Sequence, residues 1–240
     1  MYLLIFINIE KEKEMPIPLI PILIAAAVAV AAAIAVRKLL KKFEGKTIMV
    51  AGRVRSGKTV LSYYLAESKK PSTVPDKQTP SNKKHASDYK TIDGKNKITA
   101  IVDCRHHERA TSSEKDSYDN EIRHIQKSDI VLYLCDLNEI LKNPSIKNGK
   151  SKDYRDATKA EIDTFEGFCE EFGKPLILVG THLYKIKGFD NSKDLKDNVG
   201  LINLIKEKYN FPKEIIPVAL TDKYIEESAK AILEKAEQYI

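Results

Sequence analysis

Gly52-Arg53-Val54-Arg55-Ser56-Gly57-Lys58-Thr59 sets two glycines, a lysine and a hydroxyl at the spacing GxxxxGK[ST], which suits the gripping of a polyphosphate. The chemistry depends on that order. Glycines let the main chain curl until successive N–H groups face phosphate oxygens. Gly52, Val54, Arg55, Ser56, Gly57, Lys58, Thr59 and Val60 are therefore candidate contacts. A helix that starts there adds the partial positive charge of its N-terminus. Lys58 is expected to reach the outer phosphates, as a catalytic and a binding residue, and the Thr59 hydroxyl to ligate Mg2+. A chance match in a loop is the bland alternative. The flanks argue against it, because Thr47-Ile48-Met49-Val50-Ala51 reads as a buried strand and Val60 to Leu65 as a helix.

Beyond this turn the chain alternates strand and helix. A lysine-, proline- and serine-rich stretch, 69–87, reads as a loop. Tyr89 to Ile92, the turn Asp93-Gly94-Lys95-Asn96, and Ile98 to Asp103 read as a hairpin. A polar helix is expected within 117–127, then a buried strand over Ile130 to Asp136 and a polar stretch over 142–155. A helix near 159–172, a buried strand over 175–180, a helix over 195–209, a strand over 214–220 and an amphipathic helix over 224–239 follow. Continuously apolar strands between helices imply a mostly parallel sheet covered on both faces. The expected fold is a three-layer α/β phosphate-loop domain with a six-stranded sheet, its ligand lying beyond the C-terminal strand ends.

The N-terminal part is of another kind. From Pro16 to Val36 no residue is charged, and about 20 such residues cross a bilayer as a helix. Arg37, Lys38, Lys41, Lys42 and Lys46 follow it, whereas Lys11 and Lys13 before it are interleaved with acids. That asymmetry predicts a single-pass membrane protein whose C-terminal part lies in the cytoplasm. The expected organisation is a tail over 1–14, a transmembrane helix over 15–36, a basic stalk over 37–45 and a globular domain over 46–240. Met15 is a natural start immediately before the apolar run. A signal peptide would carry its charges in front, and a buried core helix would show a polar face. Cys104, Cys135 and Cys169 form no CxxC pair, which excludes a zinc or disulfide framework of the usual spacing. The net charge of +6 comes from lysines dispersed among acids, a solvated surface rather than a nucleic-acid face.

Asp103 closes the apolar run Ile98 to Val102. A carboxylate there can hold magnesium through water, or simply cap the next turn. With this residue the order of motifs over about 46–240 resembles the small GTPases of the Ras-like, translation-factor-related class. The resemblance rests on the phosphate loop, the hairpin, Asp103-Cys104-Arg105-His106-His107-Glu108, and Ser128 to Asp136. An anchor followed directly by such a domain is similar in layout to the beta-subunit family of the signal recognition particle receptor.

The resemblance implies GTP or GDP as ligand, Mg2+ as cofactor, slow hydrolysis and a switch read by a cytosolic protein partner. It assigns metal contacts to Thr59, Asp103 and Thr79, with Thr73 as the alternative to Thr79. His107 stands where the family orients the attacking water, unless it is merely solvated. His106 replaces a glycine of the family pattern, and Val54 occupies a position where a side chain slows turnover. For the base the resemblance implies Thr181, His182, Ala219 and Leu220. Tyr184 replaces the aspartate that reads guanine, so a scaffold without hydrolysis and an ATP-binding protein stay open as alternatives.

Overall fold

The computed structural model describes residues 34–53, 55–67, 86–90, 97–101, 121–142, 154–208 and 214–240. Strand β1 (Thr47–Gly52) leads through the glycine-rich turn into helix α2 (Lys58–Glu67). The antiparallel pair β2 (Ala86–Lys90) and β3 (Lys97–Ile101) follows, then a helix α3 over 121–127 and β4 (Ile130–Asp136). Helices α4 (Leu137–Leu141) and α5 (Tyr154–Glu171), strand β5 (Leu176–Thr181), helix α6 (Val199–Lys208), strand β6 (Ile215–Pro217) and helix α7 (Ile225–Ala236) complete the chain. A helix α1 over 34–42 precedes β1.

The strands lie in the order β2-β3-β1-β4-β5-β6. β1 pairs in parallel with β3 and β4, β4 with β5, and β5 with β6. Side chains of a strand alternate between faces, so each face needs its own apolar set. Strand β4 shows why its run is apolar throughout. Ile130, Leu132 and Leu134 join a core with α1, α2 and α7, while Val131, Tyr133 and Cys135 join one with Ile125, Leu137, Ile162, Phe165 and Ile205. All seven residues of β4 are buried. Helices thus cover both faces, and the strand ends of β1, β4 and β5 come together at one edge of the layer.

Several boundaries differ from the sequence expectation for physical reasons. Helix α5 starts earlier, at Tyr154, because its first turn is held by polar contacts such as Thr158 Oγ1 donating to Tyr154 O at 2.6 Å. The helix expected over 195–209 is split. Leu195–Asp197 forms a 3-10 turn, and Asn198, whose Nδ2 donates to Asp194 O at 3.1 Å, separates it from α6. Strand β6 spans only Ile215–Pro217; Val218 N still donates to Gly180 O at 2.7 Å, and the pairing ends where β5 stops and His182 turns left-handed at φ 60°.

The basic stretch expected as a stalk is helical through residue 42. Val36, Leu40 and Phe43, spaced four and three apart, are buried in the core formed with α2 and α7. Arg37, Lys38, Lys41 and Lys42 are exposed on the same helix, and Lys42 pairs with Glu237. Among the described residues no helix is long and apolar enough to cross a membrane. Residues 1–33, which hold most of the expected span, lie outside the description.

Candidate functional site

The turn between β1 and α2 has a backbone that few sequences tolerate. Gly52 takes φ +130°, and a Cβ there would fall 2.0 Å from the carbonyl oxygen of Leu134 in β4. Only glycine fits. Arg55 is left-handed at φ 63° and Gly57 has φ +86°. A non-glycine residue held there stores about 1–3 kcal/mol. Positive φ values alternating along a short loop turn successive N–H groups toward one point, an anion-binding concavity. Ser56 N donates to Arg53 O at 3.2 Å and Leu61 N to Gly57 O at 3.0 Å, which closes the turn and opens α2. The first turn of α2 carries no acidic residue, so nothing of opposite sign occupies its N-terminus.

Lys58 lies back along this loop and is 4% exposed. Its Nζ donates to Gly52 O and Arg53 O, each at 2.6 Å. The ammonium therefore sits over the loop, where an anion would meet it. Ser56 is fully buried, and its Oγ has no hydrogen-bond partner among the described residues. An unpaired buried hydroxyl is costly and is usually explained by a missing partner. The donors fit a phosphate chain. For magnesium, Thr59 stands half-buried in the first turn of α2 as one hydroxyl ligand. Among the described residues no group of three or more His, Cys, Asp or Glu side chains could hold a metal. An ion held by phosphate oxygens and water needs no such group.

Beneath the loop lies a set of polar side chains that the sequence reading did not single out. Arg53 Nε is 4.0 Å from Glu161 Oε2 in α5, and its guanidinium lies 4.6 Å from the ring centre of Tyr154. Tyr133 in β4 donates its hydroxyl to Glu161. Burial pushes the Glu161 carboxyl up to about 7, although the Tyr133 hydroxyl, Arg53 and Lys58 pull the other way and Glu121 adds to the rise. The ion pair and the raised value point in opposite directions. Burial prevails, because Arg53 stands at the outer limit of contact and its Nη1 has no hydrogen-bond partner among the described residues.

A stability effect follows from that value. A carboxyl raised from 4.5 to about 7 binds its proton more tightly folded than unfolded. Folding stability should therefore fall as pH rises from about 4.5 to 7 and level off above, by at most about 3 kcal/mol. Glu161→Gln should flatten this slope in urea denaturation measured across that window. An unchanged slope would assign the effect to other groups.

The other half of the site is built on the ends of β5 and β6. Thr181 Oγ1 donates to Cys135 O at 3.0 Å and lies 3.2 Å from His182 Nδ1. His182 is left-handed, φ 60°, and its Nδ1 is 3.0 Å from Asp136 Oδ2. The Asp136 Oδ1 accepts N–H groups from Asn138 and Glu139 at 2.9 and 3.2 Å, capping α4. Burial by itself would raise the Asp136 carboxyl, but the His182 bond and charge, the Glu139 N–H and Lys185 hold it below the usual range. Tyr184 stands 5.9 Å from the His182 ring, centre to centre. After β6, Ala219 is fully buried, its N–H donating to Ser228 Oγ at 3.1 Å. Leu220 is the residue that faces the phosphate loop. A Cβ on Gly57 would lie 2.8 Å from Leu220 Cδ1 and 3.8 Å from Thr181 Cγ2.

The structure thus brings Gly52, Arg55, Ser56, Gly57, Lys58, Thr59 and Val60 onto one turn, with Thr181 and Leu220 against it. Val54, Thr79, Asp103, His106 and His107 lie outside the described residues. Asp136 was missed as a site residue. Its signal was available: Asp136 followed by Glu139 has the spacing of a helix start, and Asp136 ends a strand neighbouring β1.

No protein-family model and no curated protein matches the chain. Among solved structures it is similar to P-loop GTP-binding proteins. One is a probable GTP-binding protein engB, 22% identical, covering 80% of this chain and 98% of that one at a TM-score of 0.50. Another is an ADP-ribosylation factor-like GTP-binding protein, the small COPII coat GTPase SAR1 from Encephalitozoon cuniculi in complex with GDP. It is 11% identical, with 92% and 96% coverage and a TM-score of 0.51. Aquifex aeolicus Era bound to GDP.AlF4- matches at 17% identity and a TM-score of 0.48 over 82% of this chain, which spans 57% of Era. At these identities the likeness concerns the fold. Fold and phosphate loop together define a P-loop α/β domain.

Proposed function

We propose that the chain is a membrane-anchored GTP-binding protein, a slow Mg2+-dependent GTPase that acts as a nucleotide-controlled switch for a cytosolic partner. The observation that carries the nucleotide part is the preformed loop. Gly52 is pinned by the Leu134 carbonyl, Lys58 lies over the turn, and α2 opens at its exit. Structural neighbours named as GTP-binding proteins support guanine nucleotide as the ligand. Thr59 would hold magnesium, with Asp103 and Thr79 as further contacts by the family resemblance. Magnesium, when bound, supplies charge neutralisation between the outer phosphates. Lys58 binds those phosphates, and His107 is the residue proposed to hold the attacking water in line.

The anchor is the uncharged run that ends at Val36. Since Val36 and Leu40 already pack on α2 and α7, the proposed span enters the domain without a free spacer. Exposed Arg37, Lys38, Lys41 and Lys42 would face the headgroups of the cytoplasmic leaflet.

A second reading has its own observation. His182 is engaged by Asp136 and Thr181, and Tyr184 rather than a carboxylate follows it. A domain so altered at the base side can serve as a docking scaffold that does not hydrolyse nucleotide. Single-turnover hydrolysis separates the two. The GTPase reading expects slow Mg2+-dependent product formation that His107→Ala lowers by about a hundredfold or more. No turnover in the wild type, with nucleotide bound, would favour the scaffold.

A further inference from the structure

The phosphate loop and the base-side turn are separate strand-end loops, on β1 and β5, and one side chain touches the first directly and the second through Asp136 at the end of β4. Tyr154 opens α5. Its ring carries the Arg53 guanidinium at 4.6 Å, and the Arg53 carbonyl receives Lys58 Nζ at 2.6 Å. Its hydroxyl accepts the Asp136 N–H at 3.3 Å, and the Asp136 carboxylate meets His182 Nδ1 at 3.0 Å. The path Lys58–Arg53–Tyr154–Asp136–His182 is unbroken, and each link is a direct contact. It also lies under cover: Asp136 is 6% exposed and Arg53 and His182 side chains 16% and 17%. Contacts screened from water hold their geometry better than exposed ones.

We propose that Tyr154 is a positioning residue that couples the two halves of the nucleotide site, so that filling the phosphate side sets the orientation of His182 at the base side. The proposal rests on the nucleotide-binding reading above. A movement of the loop on phosphate binding shifts Arg53, whose planar guanidinium slides or stays with the Tyr154 ring. Tyr154 is anchored by its place at the helix start, so the shift is passed to the Asp136 amide and from there to the imidazole. The coupling is reciprocal, as any linkage between two sites must be. A tyrosine that only filled space would lower stability without linking Arg53 to His182.

A double-mutant cycle in two backgrounds tests this in the full-length protein. Affinity for Mg2+-GTP, or for Mg2+-ATP if the wild type prefers it, is titrated for Arg53→Met, His182→Gln and the pair. In the wild-type background the combined loss should differ from the product of the single losses by about fivefold. In Tyr154→Phe, which keeps the ring and removes the hydroxyl, the losses should multiply. Should Arg53→Met melt before titration, Arg53→Lys keeps a charge for Glu161 while giving up the planar stack, and completes the cycle. Losses that multiply in both backgrounds, or deviate equally in both, would overturn the coupling while leaving nucleotide binding intact. A wild type that binds neither nucleotide removes the nucleotide reading and this inference with it.

Discussion

Lys58→Ala should lower the affinity for Mg2+-GTP by about a hundredfold or more, the largest effect expected of any single substitution at the site. A charged hydrogen bond to phosphate is worth about 1.5–3 kcal/mol, and the lost positive charge beside several phosphate oxygens adds to it. Lys58 does more than bind. Its ammonium bridges Gly52 O and Arg53 O, so the loop is partly held by the side chain that the ligand would recruit. The variant should also melt below the wild type, since the buried Gly52 carbonyl loses its donor, at a cost of about 1–3 kcal/mol. Calorimetric titration with thermal melting checks both parts. Unchanged affinity in a folded variant would place the phosphates elsewhere.

Gly52→Ala should cost about 3–5 kcal/mol of folding stability, a large share of what a domain of this size possesses. The reason is geometric. The added methyl would sit 2.0 Å from Leu134 O and 2.8 Å from Leu134 C and N, all main-chain atoms of the central strand β4. A side chain can swing away, but a paired backbone between β1 and β5 cannot. The φ of +130° adds strain that an L-residue meets regardless of space. Urea denaturation should show the midpoint falling with the slope unchanged. A variant as stable as the wild type would mean that β1 and β4 do not approach as closely as the structure has them.

How much of this was legible in the chain depended on whether the signal was local. Strand β4 was, because six apolar residues buried on two faces run without a polar break up to Asp136 at the strand end. The phosphate loop was, because its backbone demands glycine at fixed places. Helix α4 was not, since five residues make barely more than one turn and show no period; only the cap at Asp136 betrays it. Helix α1 was read as a stalk because its lysines dominate the composition. Its buried edge, Val36, Leu40 and Phe43, becomes visible only against α2 and α7. The layer under the loop was beyond reach of any local pattern. Nothing around Arg53 announces that Glu161 and Tyr154, on a helix far along the chain, will meet it. The turn after β5, proposed as the base side, was half legible. Thr181 and His182 could be placed at the end of a buried strand, but the tie from His182 to Asp136 is a contact between the ends of adjacent strands β4 and β5.

The measurement closest to the central claim is equilibrium binding of GTP and ATP to the full-length protein, with and without Mg2+, in detergent or lipid. Metal-dependent binding of GTP, tighter than ATP, is the expected result. Tighter ATP binding would contradict the guanine assignment, and no metal-dependent affinity for either nucleotide would contradict the phosphate site itself.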